Sequence, residues 1–273
     1  MSAPEMMSMA ADLTPWMARL EARHLADLQF VEVSRALRAL SSAYVERRQT
    51  ALSAHRVLDG AGKRAAFALY YGPLHFLATT QVLQGLAPAI DAVGPDAVVD
   101  LGCGTGAAGA AAAVTIGART ILGFDTHPWA LAEARHTYAA FGLSGTVTRG
   151  SAARLRGPRR PSLIVASYLV NELPDAERAL LLPRLLDAVR SGHRVLILEP
   201  LATSAVPWWP EWVHAFAALG ARADEWKLEV EPPALVRRLG DAAGLTPTAI
   251  KVRTLHAGLV APLPGHVLPG RVA

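Results

Sequence analysis

Cysteine is almost missing from this 273-residue chain, in which Cys103 stands alone. One thiol excludes an internal disulfide, a cysteine-rich zinc knuckle and a four-cysteine iron–sulfur cluster. Lysine is nearly as scarce: Lys63, Lys227 and Lys251 are the only three, and the other 24 of 27 basic residues are arginines. Against 23 acids they leave a net charge of +4, which permits an anionic partner without requiring one. No long apolar run is present. The blandest stretch, residues 107–118, is far short of the ~20 residues that span a bilayer. Glu5 and Asp12 precede the first arginine, Arg19, unlike a basic signal-peptide start or an acid-poor transit peptide. None of the nine histidines shows metal-ligand spacing, so no metal is expected. With 52% hydrophobic and 18% charged residues the chain is neither a disordered tail nor a coiled coil. These absences predict a soluble, cytoplasmic protein with no membrane partner.

Two textures follow one another. Up to about residue 90 the pattern is helical: Leu13, Trp16, Met17, Leu20 and Leu28 keep helical spacing, and Val33, Leu37, Leu40 and Tyr44 continue an apolar stripe. Thr14 before Pro15 reads as a helix start. Further helices are expected at 63–71 and 74–90, interrupted by Gly72-Pro73, and 91–96 reads as a linker. Short apolar runs then alternate with helical stretches. Strands are expected at 97–101, 120–124, 146–149, 162–167 and 194–198, with helices at 107–116, 128–141 and 174–189. This alternation predicts an α/β fold, a parallel sheet covered by helices on both faces. A helix at 232–243 and two strand candidates, 247–253 and 256–261, close enough for a hairpin, complete the pattern.

The strongest signal is Val98-Val99-Asp100-Leu101-Gly102-Cys103-Gly104-Thr105-Gly106: a strand, an acid, then three alternating glycines leading into a helix. Glycine lets the backbone turn sharply and approach a ligand closely, and the helix start offers free N–H groups. Asp125 ends the next strand, where a carboxylate can accept both hydroxyls of a ribose. Two cofactors compete for the site. Residues 104–109 match the G-x-G-x-x-G dinucleotide fingerprint, which is weak on its own.

The longer Asp-Leu-Gly-Cys-Gly-Thr-Gly pattern resembles the S-adenosylmethionine loop of class I methyltransferases. The resemblance implies a Rossmann-like sheet of five parallel strands plus a terminal antiparallel pair, with an α-helical N-terminal cap. It implies that Gly102, Cys103, Gly104 and Gly106 contact the cofactor, that Asp100 orients its amino group, and that Asp125 holds its ribose with Thr126 alongside. Ser151 and Ala152 fall where the family places an acid against the adenine, and Ser167 joins the same cofactor set. Cys103 reads as a small loop residue, not a nucleophile. Residues 166–174, 40–47 and 71–73 are similar to the mitochondrial small-ribosomal-subunit methyltransferase-like family and its bacterial relatives, the Asn171-Glu172-Leu173 segment most specifically. Many members carry a cysteine cluster after the fifth strand. Here residues 199–231 contain no cysteine, so the metal function does not carry over.

The expected organisation is a helical cap and substrate region at 1–94, the S-adenosylmethionine domain at 95–262 with an insertion at 201–231, and an irregular tail at 263–273. Ligands of α/β sheets sit outside the carboxyl ends of the strands, which makes Tyr168, Asn171 and Glu172 the catalytic candidates. Asn171 would orient an acceptor and Glu172 would take its proton; the alternative is that both cap the following helix. Tyr71 and His75, with Tyr70, would line the mouth of the site. Trp208, Trp209 and Trp212 would form a substrate lid or, equally, an aromatic core. Arg149, Arg154, Arg156, Arg159 and Arg160 form the one local charge run, either a solvated loop or contacts to RNA phosphates. The acceptor is read as ribosomal RNA or a ribosome-associated target on the small subunit. A small-molecule acceptor and a non-catalytic ribosome-assembly factor stay open, and a dinucleotide oxidoreductase is the remaining alternative.

Overall fold

The alternation of apolar strands with helices produces a seven-stranded sheet in the order β3-β2-β1-β4-β5-β7-β6. The computed structural model describes residues 12–47, 58–86, 95–154, 157–202, 206–245 and 249–258. β1 (Ala97–Leu101), β2 (Thr120–Asp125), β3 (Ser144–Arg149), β4 (Ser162–Ser167) and β5 (Arg194–Pro200) run parallel, as expected. The inner strands β1, β4 and β5 are almost continuously buried because helices cover both their faces. β3, rich in Ser, Thr and Gly, forms an exposed edge.

One face carries α1 (Thr14–His24), α2 (Phe30–Arg47), α3 (Ala61–Ala66), α4 (Gly72–Leu86), α5 (Ala107–Ile116), α6 (Pro128–Ala140) and α9 (Ala234–Ala243). The other is covered by α7 (Asp175–Arg190) and α8 (Trp209–Ala217). α1 is tied to α6 where Arg23 and His24 both meet the Glu133 carboxylate. Among the described residues no helix is long and apolar enough to cross a membrane. The expected tail at 263–273, positions 91–94 of the linker, and Arg156 lie outside the described residues.

Two expectations fail, each for a local reason. Gly72-Pro73 does not interrupt the helix. A π-helical turn, Phe67–Tyr71, joins α3 to α4, and the Gly72 N–H reaches back five residues to the Phe67 carbonyl. The wider turn accommodates the proline ring that would clash with a regular helical carbonyl. The two C-terminal strand candidates are one strand, β7 (Ala249–Ala257), antiparallel to β5. Its second antiparallel partner is β6 (Arg222–Glu229), from the segment read as an insertion. In β6 Asp224, Trp226 and Leu228 point inward while Glu225, Lys227 and Glu229 face out. That period-two alternation was the available signal, hidden by its charge density.

Candidate active site

The sheet order reverses between β1 and β4, so the crevice opens outside the carboxyl ends of these strands. Here the chain leaves β1 through Gly102, Gly104 and Gly106, with φ of +60°, +52° and +76°. A side-chain-bearing residue pays about 1–2 kcal/mol for that conformation. The turn is also packed too closely for one: a Cβ on Gly106 would lie 2.8 Å from the Tyr138 ring and 2.9 Å from Ala134 Cα. α5 starts directly behind it, at Ala107.

Asp125 faces the loop. Its Oδ2 accepts the Gly104 N–H at 2.9 Å and its Oδ1 the His127 N–H at 2.7 Å. An ionised carboxylate has about four lone-pair sites, so these bonds leave room for the two hydroxyls of a ribose. Thr126 lies exposed on the rim, its carbonyl accepting from Arg149 Nε at 3.3 Å. His127 is an N-cap: its Nδ1 accepts the Trp129 N–H and starts α6.

Asp100 departs from the resemblance. Its carboxyl points away from the crevice, into the packing between β1 and the α5–α6 layer, where Oδ2 accepts the Tyr138 hydroxyl at 3.0 Å. Gly109 is there because any Cβ would meet Asp100 Oδ2 at 2.2 Å. Only 1% of Asp100 is exposed, and burial pushes its carboxyl up to about 7. It braces the loop from beneath. Cys103 is buried beside it, its thiol pushed up by desolvation, which makes it a poor nucleophile.

After β3, Ser151 accepts the Ala153 N–H and opens a short 3₁₀ turn, Ala152–Arg154, with Ala152 buried. The Ser151 hydroxyl donates to Glu177 Oε2. A carboxylate therefore does stand at this corner, supplied by α7 instead of by the turn itself. Sequence reading missed it because the contact spans 26 residues.

A set of aromatic rings faces the loop from the helical side. Phe67, Tyr71 and His75 lie four residues apart along the π-helical turn and α4, and His75 stacks on Tyr168 at 4.4 Å with 20° between planes. Tyr70 is buried on another side of the same turn, its phenol pushed up to about 12 by desolvation, so it does not line the mouth. Tyr168, directly after β4, is the one non-glycine residue with positive φ (+53°) among those described. Backbone held in this region against a bulky side chain is strained.

Beyond Tyr168, Asn171 and Glu172 sit on a 3₁₀ turn, Val170–Glu172, separate from α7, which starts at Asp175. The N-cap position of that helix is taken by Pro174. The Asn171 Oδ1 and the Ser167 hydroxyl are buried without a hydrogen-bond partner in the protein. The turn is held by Glu199 at the end of β5, whose Oε1 accepts the N–H groups of Val170 (2.8 Å) and Asn171 (3.2 Å). Glu199 is fully buried, and desolvation pushes its carboxyl up. An acid inside the run Val-Leu-Ile-Leu-Glu-Pro was the signal for it.

The tryptophans of the expected lid are elsewhere. Trp208, Trp209 and Trp212 are 7%, 9% and 2% exposed, within the core between α7, α8 and the sheet. Trp208 and Trp212 meet edge to face at 4.9 Å, and Arg253 lies over Trp209. Among the described residues no group of His, Cys, Asp or Glu is arranged to hold a metal ion.

Residues 98–192 match the methyltransferase domain family. No curated protein matches the sequence significantly. Among solved structures the chain is similar to mitomycin 7-O-methyltransferase MmcR, with 17% identity and a TM-score of 0.50 over 95% of this chain and 76% of that one. The methyltransferase domain of the bacterial protein CtHen1-C is 14% identical, with a TM-score of 0.47 over 69% of this chain and all of that one. A ribosomal protein L11 methylase from Lactobacillus delbrueckii is 19% identical, with a TM-score of 0.42 over 66% and 77%. Residues 98–192 thus form a methyltransferase domain, and the sheet order and the glycine loop facing Asp125 give it the class I fold.

Proposed function

We propose that the chain methylates a compact organic acceptor seated between a helical cap, residues 12–47 and 58–86, and the carboxyl ends of β1 and β4. The observation carrying this reading is the partly exposed aromatic cleft of Phe67, Tyr71, His75 and Tyr168 over the glycine loop. Trp129, which meets Phe67 at 6.5 Å, also lines a neighbouring cavity of about 190 Å³ with Arg23, His24, Asp27, Leu28, Ala61 and Arg64. That is below the ~300–1,000 Å³ of drug-sized pockets and suits a small ligand or substituent.

S-adenosylmethionine supplies a methyl group activated on a sulfonium. The protein's part is to place the acceptor in line with it and exclude water. Gly102, Gly104, Gly106, Asp125, Ser151 and Ser167 would hold the cofactor. Asn171 would orient the acceptor through its amide, and Glu172 would take a proton where the acceptor must lose one.

A second reading has its own support. Arg149, Arg154, Arg159 and Arg160 are all exposed, and Arg149 hangs on the cofactor rim through Thr126. Such a row suits RNA phosphates. With the Asn-Glu-Leu segment it supports kinship to the small-ribosomal-subunit family and a ribosomal acceptor. Labelled S-adenosylmethionine incubated separately with a metabolite extract and with ribosomal RNA decides between them. Label in a small product is the expected result; label in RNA favours the second reading, and label in neither favours a non-catalytic assembly factor.

A further inference from the structure

We propose that Phe67, Tyr71, His75 and Tyr168 form an aromatic cage for a sulfonium cation, so that the site selects the charged methyl donor over its neutral demethylated product. This rests on the methyltransferase reading and adds the device that separates donor from product.

Three observations converge on the cage. The first is periodicity. Residues 68–70 and 72–74 are buried, whereas Phe67, Tyr71 and His75 are each only partly covered. Positions four apart share one helical face, so the stripe packs against the core through Phe67 and Tyr71 and keeps its other side uncovered. The second is strain. A π-helical turn sets Phe67 and Tyr71, and a positive φ sets Tyr168. Both are departures from regular backbone that recur at functional sites. The third is place. A Cβ on Gly104 would lie 3.6 Å from the Phe67 ring, so the cage stands over the loop that holds the methionine end of the cofactor.

The chemistry of the rings fits a cation. Aromatic faces carry a negative quadrupole and attract a cation within about 6 Å of the ring centre. A protonated imidazole would repel it. Burial lowers the His75 ring to about 4 and pushes the Tyr168 phenol up, so both rings are neutral at physiological pH. The product, S-adenosylhomocysteine, is a neutral thioether and receives none of this attraction. Loss of the methyl group thus loosens the hold of the cage and favours product release.

Calorimetric titration of the full chain with S-adenosylmethionine and with S-adenosylhomocysteine tests this. The wild type should bind the sulfonium ligand on the order of ten-fold more tightly than the thioether. Tyr168→Leu and His75→Leu should each bring that ratio towards one and change thioether affinity by less than about two-fold, while Tyr168→Phe keeps the preference. Melting curves show whether each variant is folded, and either Leu variant alone suffices. Equal wild-type affinities, or Leu variants that weaken both ligands alike, overturn the cage and leave the cofactor site standing. Failure of the wild type to bind either ligand overturns the cofactor assignment itself, and the cage with it.

Discussion

The protein gathers aromatic rings in two places, and the two gatherings do different things. Phe67, Tyr71, His75 and Tyr168 sit at the carboxyl ends of the strands and keep part of each ring uncovered. Trp208, Trp209 and Trp212 lie under α7 and α8 on the opposite face and are buried. Both groups bring rings to similar separations, 4.4 Å stacked in one and 4.9 Å edge to face in the other. Ring contacts therefore do not tell a site from a core. Position relative to the strand ends and incomplete burial do, because a ligand needs surface that folding has not already consumed.

The sharpest way to break this contrast is to remove a ring from the buried group. Trp212→Ala should destabilise the fold by about 3–5 kcal/mol, the usual cost of truncating a core aromatic. Urea unfolding measures it. The folded fraction should still bind S-adenosylmethionine; a stable variant that has lost binding would move Trp212 into the site.

Asp100 tests whether the floor of the cleft is structural. Its carboxyl lies at about 7 in the folded protein against 3.8 in the unfolded chain. The folded state thus holds a proton that the unfolded state has released, and stability from this group is complete below pH 3.8 and lost as pH rises towards 7. The loss is up to roughly 4 kcal/mol. Unfolding at pH 4.5 and 7.5 should show this decline in the wild type and a flatter profile in Asp100→Asn, which keeps an acceptor for Tyr138.

Asp125 should behave as part of the ligand site and not of the core. Asp125→Ala removes the acceptor of two backbone N–H bonds and, on the proposed reading, of the ribose hydroxyls. Cofactor affinity should fall on the order of a hundred-fold, read by calorimetry; an equally tight variant sinks the ribose assignment. The smallest effect belongs outside both aromatic groups. Arg160 is 73% exposed, 3.9 Å from Asp96, and Arg160→Ala should change stability by less than about 0.5 kcal/mol. A larger loss would mean that the arginine row has a structural role.

The parallel half of the fold was legible because four of its five strands are short apolar runs, and Asp100 through Gly106 marks the loop without ambiguity. β6 was not, since its inward Trp226 and Leu228 alternate with three charged residues, Glu225, Lys227 and Glu229, that read as solvent-facing loop. The continuous helix through Gly72-Pro73 was illegible for another reason: a π-helical turn is decided by packing against neighbours, not by local propensity.

Within the site the division is similar. Local sequence determined the glycine turn, the Asp125 position and the candidates after β4, because backbone conformation and strand-end placement follow from a few adjacent residues. Only the tertiary structure decided which way Asp100 points, that Glu199 holds the Asn171 turn, that Glu177 meets Ser151, and that one aromatic group is core and the other cleft. Each of these joins residues far apart in the chain, and burial, which decides them all, is a property of what the rest of the protein leaves uncovered.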